Sequence, residues 1–144
     1  MNEAEIRDII GRDLLALPYI KGVSNHMGSM AMEDLKTMGV IFGELKKKRL
    51  YFLDSLVSPR SVCSALANKM RIGYARRDVF LDNEQEPEYI RNQINKLKLK
   101  AKIYGQAIGI GHDRKVTLEV LKETMPALQK EGYRFVFVSD LARF

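Results

Sequence analysis

Two histidines are the only imidazole groups in this chain of 144 residues, and each follows a short apolar run that is typical of a β-strand. His26 comes after the run Tyr19–Val23, and His112 comes after Ala107–Ile110. In parallel α/β folds the loops at the carboxyl ends of strands carry the chemistry, because those loops converge there with helix N-termini. Two imidazoles in this position predict one shared site.

The elements that must position these histidines alternate between helix and strand along the chain. Apolar residues at helical spacing predict helices that begin after Asn2, after Ser29, at Pro59, at Pro87 and near Val116. Five strands are predicted between them, at Tyr19–Val23, Arg49–Leu53, Ile72–Leu81, Ala107–Ile110 and Phe135–Val138. Alternation at this spacing predicts parallel β/α units within a single domain over residues 1–144.

Composition and charge exclude several classes of protein. The formal charge of +6 permits an anionic partner, but the lysines cluster near predicted helix ends without interleaved aromatic residues, so we expect no nucleic-acid binding. The lone Cys63 is expected on a buried helix face. No apolar stretch is long enough to span a bilayer, and the start is acidic where a signal peptide would be basic. The chain as given is therefore expected to be soluble and cytoplasmic, although full-length relatives could be exported.

Four blocks of sequence together resemble the divergent polysaccharide deacetylase family. Their order and spacing agree with that family through the whole chain, and the third block is the longest. The blocks are Gly22–Ser29, Tyr51–Ser55, Tyr74–Asn83 and Ala107–His112.

The resemblance implies a NodB-like carbohydrate esterase fold, an irregular (β/α) barrel, and removal of acetyl groups from amino sugars. It implies a divalent metal ion, commonly zinc, that holds a water and polarises the acetyl carbonyl while an aspartate acts as base and a late histidine protonates the amine. The expected substrate is an acetylated amino-sugar polysaccharide or a glycan of the peptidoglycan type.

Roles follow from the resemblance position by position. His26 matches the metal-ligand histidine, and His112 matches the late histidine, either as general acid or as a further metal ligand. The resemblance also implies catalytic roles for Asp54 and Asp78. The predicted substrate-binding residues are Asn25, Ser29, Arg76 and Arg77.

The chain departs from the family pattern at two places. Standard members have a second metal histidine four residues after the first, where this chain has Met30. They also begin with a strand that ends in paired aspartates, so the barrel here is expected to lack its first one or two β/α units and to keep about five mainly parallel strands. An open sheet edge of that kind could be covered by a second copy of the chain. Two functions stay open: a metal-dependent deacetylase domain, or a catalytically inactive module that binds glycan or protein.

Overall fold

A computed structural model describes residues 1–143, and within them the backbone forms six α-helices, five short β-strands and one turn of 3-10 helix. The helices are α1 (Glu3–Ala16), α2 (Ser29–Glu33), α3 (Leu35–Lys47), α4 (Cys63–Met70), α5 (Pro87–Tyr104) and α6 (Lys115–Lys130). The strands are β1 (Gly22–Ser24), β2 (Tyr51–Asp54), β3 (Tyr74–Arg76), β4 (Val79–Phe80) and β5 (Gly109–Ile110), and the 3-10 turn is Val138–Asp140. Every pair of neighbouring strands is parallel, which confirms the predicted α/β class with parallel strands and flanking helices.

The described residues form two compact units, and the single domain over residues 1–144 stays a prediction. The first unit contains Met1–Arg76 together with the C-terminal segment from Val138, and the second contains Arg77–Phe137. No helix within residues 1–143 is both long and apolar enough to cross a membrane.

The first unit is a three-stranded parallel sheet in the order β1-β2-β3, with helices packed on it. Its core is apolar and includes the fully buried Met38, Phe42 and Cys63, the last of which confirms the predicted burial of the thiol. Tyr74 of β3 also pairs with Arg143 in an antiparallel bridge. Among the described residues no strand pairs with the outer side of β1, so the covering of that edge by a second copy stays a prediction.

Local hydrogen bonds set the helix starts in this unit. The amide of Glu5 donates to the Asn2 side chain and the Asn2 amide donates to Glu5, which confirms the predicted capping box of α1. The prediction of a single helix after Ser29 is wrong, because the segment forms two helices, α2 and α3. Asp34 between them has extended backbone, and its side chain caps α3 by accepting the amide of Thr37.

The predicted helix start at Pro59 is also wrong, since α4 begins only at Cys63. The hydroxyl of Ser58 donates to Glu33 at 2.5 Å and accepts the amide of Arg60 at 3.1 Å. The guanidinium of Arg60 also bonds both carboxylate oxygens of Glu33. Ser58 therefore ties the loop after β2 to α2 instead of capping α4.

The second unit pairs β4 with β5 and packs α5 and α6 around a small apolar core that contains Ile90, Ile94 and Val120. The strand-like segment Ile72–Leu81 is divided, because β3 and β4 belong to different sheets. The predicted helix between Pro87 and Gly105 is confirmed, with Gly105 in the left-handed conformation at its end. The predicted strand Phe135–Val138 is wrong, since Phe135, Val136 and Phe137 are exposed and form no strand.

Candidate functional site

The carboxyl ends of β4 and β5 bring an aspartate and a histidine together in the second unit. Val79 pairs with Gly109 and Phe80 pairs with Ile110, so the chain leaves both strands at the same edge. The backbone amide of His112 donates to Asp82 Oδ2 at 2.9 Å, and the ring atom Nδ1 lies 3.0 Å from Asp82 Oδ1. Parallel pairing therefore places these two residues in contact although 30 positions separate them in the sequence.

Asp82 is fully buried, and its carboxylate is held by three groups of the protein. Besides the two contacts with His112, Oδ2 accepts a hydrogen bond of 2.7 Å from the Thr117 hydroxyl near the start of α6. Burial by itself raises the pKa of Asp82, but the hydrogen bonds from Thr117 and His112 outweigh it and hold the pKa below its ordinary value. The group at this position is therefore a fixed carboxylate.

The contact with Asp82 determines which tautomer the neutral His112 ring adopts. A carboxylate accepts the proton of Nδ1, so Nε2 is the basic nitrogen of the neutral ring. The side chain of His112 is 33% exposed, and Phe80 packs its ring edge-on against the imidazole with centroids 5.3 Å apart. A partly exposed histidine oriented by a buried carboxylate is a candidate general acid–base group.

Backbone and cationic groups complete the surroundings of this pair. Arg114 donates from Nη1 to the carbonyl oxygen of Asp82 at 2.9 Å, and the guanidinium of Arg77 lies 5.1 Å from the centre of the Phe80 ring. At Gly111 a Cβ atom would lie 3.1 Å from Thr117 Cγ2 and 3.7 Å from Asp82 Cγ. The pair is therefore closely packed on its backbone side.

Asp78, which the resemblance implies as catalytic, lies at the other end of the same two strands. Its Oδ2 accepts the amide of Ile108 at 2.8 Å, and its own amide donates to the carbonyl of Ile108. Asp78 and Ile108 come immediately before β4 and β5, whereas Asp82 and His112 come after these strands. The structure thus brings His112 together with Asp82 and not with Asp78.

Asp82 is a candidate site residue that the sequence analysis does not single out. It directly follows the apolar run that forms β4, so the strand-end rule that singled out both histidines applies to it as well. The candidate residues predicted from the segment Ile72–Leu81, namely Arg76, Arg77 and Asp78, all precede β4.

In the first unit, Asp54 ends β2 and is also fully buried. Its carboxylate accepts hydrogen bonds from the Leu56 amide at 2.7 Å, the Ser61 hydroxyl at 2.6 Å and the Tyr74 hydroxyl at 3.1 Å. Burial and the negative charge of Asp54 raise the pKa of Tyr74. Asp54 therefore organises the loop after β2 with every contact made inside the protein.

The loop after β1 holds Asn25 internally and exposes His26. The Asn25 side chain accepts the Ser55 amide at 2.8 Å and donates to the Met27 carbonyl at 3.1 Å, which fixes the turn. Met27 and Gly28 then take positive φ values of 59° and 78°. His26, together with Ser29 of α2 and Arg76 of β3, is exposed.

Metal binding requires several donors in one place, and a catalytic zinc ion usually has three protein ligands. Among residues 1–143, no group of three or more His, Cys, Asp or Glu side chains is placed to hold a metal ion. The described residues by themselves therefore do not fit the zinc centre that the sequence predicts.

The parallel strands and the strand-end histidine with its carboxylate define a protein of the α/β class with a candidate acid–base site. The chain belongs to the divergent polysaccharide deacetylase family, whose model matches residues 1–142. This match confirms the family predicted from the four sequence blocks.

Two curated relatives and one crystal structure resemble the chain. The uncharacterized protein YibQ of Escherichia coli K12 is 34% identical over 123 residues, which cover 85% of this chain and 39% of that protein. An uncharacterized protein of Haemophilus influenzae is 30% identical over 131 residues, which cover 91% of this chain and 47% of that protein. The chain thus spans less than half the length of these relatives.

The crystal structure is that of an uncharacterized protein from Agrobacterium tumefaciens C58. It superposes with a TM-score of 0.83 at 24% identity, over 85% of this chain and 50% of that one. This likeness supports the fold, which fits a NodB-like α/β architecture.

Proposed function

We propose that the chain carries the proton-transfer part of a carbohydrate N-deacetylase site, with His112 as the acid–base residue and Asp82 as its positioning residue. The observation that carries the proposal is the contact of 3.0 Å between His112 Nδ1 and a buried carboxylate that also holds the His112 backbone. This arrangement leaves Nε2 as the basic nitrogen on a partly exposed ring.

The reaction that this group serves is hydrolysis of an acetamide. The oxygen of a water molecule adds to the acetyl carbon, and one water proton passes to His112 Nε2. The bond between the acetyl carbon and the nitrogen then breaks while His112 gives that proton to the departing nitrogen. The products are acetate and a free amino sugar, and the Asp82 carboxylate stabilises the imidazolium between the two transfers.

The substrate class follows from the family rather than from a contact in the structure. We propose a glycan with N-acetylated amino sugars as the substrate, with Arg77, which lies over the Phe80 ring, as a glycan contact in the second unit. Ser29 and Arg76 are exposed in the first unit and stay predicted glycan contacts of that unit. Asn25 supports the loop after β1, because both ends of its amide are used inside the protein.

Acetate release tests the proposed reaction. The native protein incubated with N-acetylated amino-sugar oligomers is expected to release acetate and free amine in equal amounts, as measured by coupled acetate assay and mass spectrometry. A variant of the neighbouring residue, Asp113→Asn, is expected to retain this activity, because Asp113 is exposed and is not one of the groups that hold the Asp82 carboxylate. Absence of both products from oligomers and from peptidoglycan fragments would contradict the proposal.

Metal content is the second quantity to measure. Since no three suitable ligands lie together in the described residues, we expect the purified chain to hold zinc well below one ion per chain after dialysis. Elemental analysis of the native chain and of His26→Ala measures this directly. One retained ion per native chain that is lost in His26→Ala would contradict this expectation and support the metal-ligand role predicted for His26.

An inactive binding module is the second candidate function, and the contacts of Asp54 favour it. The Asp54 carboxylate, for which a catalytic role is predicted, is buried and accepts three hydrogen bonds from the protein, so it has no direct access to a substrate water. A module of this kind would bind acetylated glycan without releasing acetate, and His112→Gln would leave that binding unchanged.

A further inference from the structure

The outward face of α5 exposes aliphatic side chains that no other part of the described chain covers. Leu99 and Ile103 are four residues apart, so they lie next to each other on the helix surface, and they are 61% and 70% exposed. Tyr104 at the end of the helix is 71% exposed. The opposite face of α5 is buried through Ile90 and Ile94.

Lysines flank this aliphatic pair, and their charge is not neutralised. Lys96, Lys100 and Lys102 lie within one turn of Leu99 or Ile103 and form no ion pair with residues 1–143. The remaining lysine of this stretch, Lys98, is different, because it bonds Glu131 of α6 at 2.6 Å.

The sequence around the helix also lacks negative charge. No aspartate or glutamate occurs between Glu88 and Asp113, so the second half of α5 and the strand that follows carry only positive or neutral side chains. Lysines on a solvated helix face are ordinary, but a pair of exposed aliphatic residues at the centre of such a face is not explained by solvation.

We propose that this face of α5, formed by Lys96, Leu99, Lys100, Lys102, Ile103 and Tyr104, docks on the surface of an anionic lipid bilayer. In that position Leu99 and Ile103 enter the boundary between headgroups and acyl chains, while the lysine stems extend sideways and place their ammonium groups among the phosphates. The proposal concerns a surface contact, since no described helix spans a membrane. It is independent of the Asp82–His112 pair.

Charge complementarity and the aliphatic centre together favour a lipid surface over a nucleic acid. A single-stranded nucleic acid would be bound through aromatic side chains on which bases stack, and the centre of this face is aliphatic. An anionic bilayer can bind the lysines through its phosphates and the aliphatic side chains through its acyl chains.

Vesicle co-sedimentation tests the proposal with the native protein. Binding is expected to vesicles that contain phosphatidylglycerol, to be weak with pure phosphatidylcholine, and to fall as salt is raised. Lys96→Gln and Lys102→Gln are each expected to weaken binding about fivefold, because one lysine near an anionic surface contributes about that factor. The double variant Leu99→Gln with Ile103→Gln is expected to weaken it by at least about tenfold.

Leu35→Gln is the matched control, because Leu35 of α3 is also 61% exposed but has one lysine next to it rather than three around it. Circular dichroism of every variant verifies that the helices are retained. Three results would overturn the proposal: no binding to phosphatidylglycerol vesicles, equal weakening by Leu35→Gln, or binding to a DNA duplex in the absence of vesicle binding.

Discussion

Replacing His112 by glutamine is expected to lower acetate release about 100-fold to 10,000-fold, the range typical of a lost general acid–base group. Glutamine can still donate an amide hydrogen to Asp82, and the backbone bond from residue 112 to Asp82 does not depend on the side chain. The side chain has no basic nitrogen, so the proton of the attacking water can no longer pass to the departing amine through this position. The measurement is kcat for acetate release from the same oligomer.

The unfolding free energy separates a catalytic loss from a structural one. His112→Gln is expected to change it by less than about 1 kcal/mol, since the ring is partly exposed and the buried contacts of Asp82 are retained. Acetate release within about threefold of the native rate would contradict the role assigned to His112. A large loss of both activity and unfolding free energy would show that His112→Gln acts on folding rather than on proton transfer.

Replacing Asp82 by alanine is expected to destabilise the protein by about 3 to 5 kcal/mol. The change leaves three donors without their acceptor, namely the Thr117 hydroxyl and the backbone and ring N–H groups of His112, and the Thr117 hydroxyl belongs to a buried residue. Urea unfolding of the native protein and the variant measures the difference. Asp113→Ala is the control, since Asp113 is exposed and its loss should cost less than about 0.5 kcal/mol.

The effect of Asp82→Ala should depend on pH in a defined direction. The pKa of Asp82 is lower in the folded protein than the value of about 3.9 for an unfolded aspartate. The carboxylate therefore contributes its full stabilisation above that value, and the contribution is lost as pH falls through the folded pKa. The difference between native and variant proteins should be constant near neutral pH and shrink below about pH 4; a difference that grows on acidification would contradict the account.

The sequence predicts correctly those helix ends that are set by residues close by in the chain. The capping box at Asn2 and the proline and glycine that bound α5 act within a few residues, and the structure confirms them. Asp34 was not recognised as a cap, because the apolar spacing continues across it and its bond to the Thr37 amide competes with a continuous helix.

Strands were harder to predict because a strand needs a partner distant in sequence. The segment Phe135–Val138 has the aromatic and branched residues of a strand, yet it pairs with no strand among residues 1–143 and stays irregular. The opposite error occurred at Ile72–Leu81, where one apolar run supplies strands to two sheets. Composition alone does not show where such a run divides.

Of the two residues in the candidate site, the sequence predicts His112 but not Asp82. His112 stands out because only two histidines occur in the chain, whereas Asp82 is one of many acidic residues that follow apolar runs. Which acidic residue contacts His112 depends on the register in which β4 pairs with β5, and that register is a property of the folded chain. Asp78 lies only four residues earlier and contacts Ile108 instead.

The protonation of the two nitrogens of His112 tests the central claim, that Asp82 orients this ring for proton transfer. Long-range 1H–15N correlation spectra of the 15N-labelled protein at about pH 8.5 distinguish the two tautomers of a neutral imidazole ring. His26 is the only other histidine and can be assigned with His26→Gln. We expect His112 to carry its proton on Nδ1, with Nε2 as the unprotonated nitrogen. A His112 ring protonated on Nε2 would contradict the account.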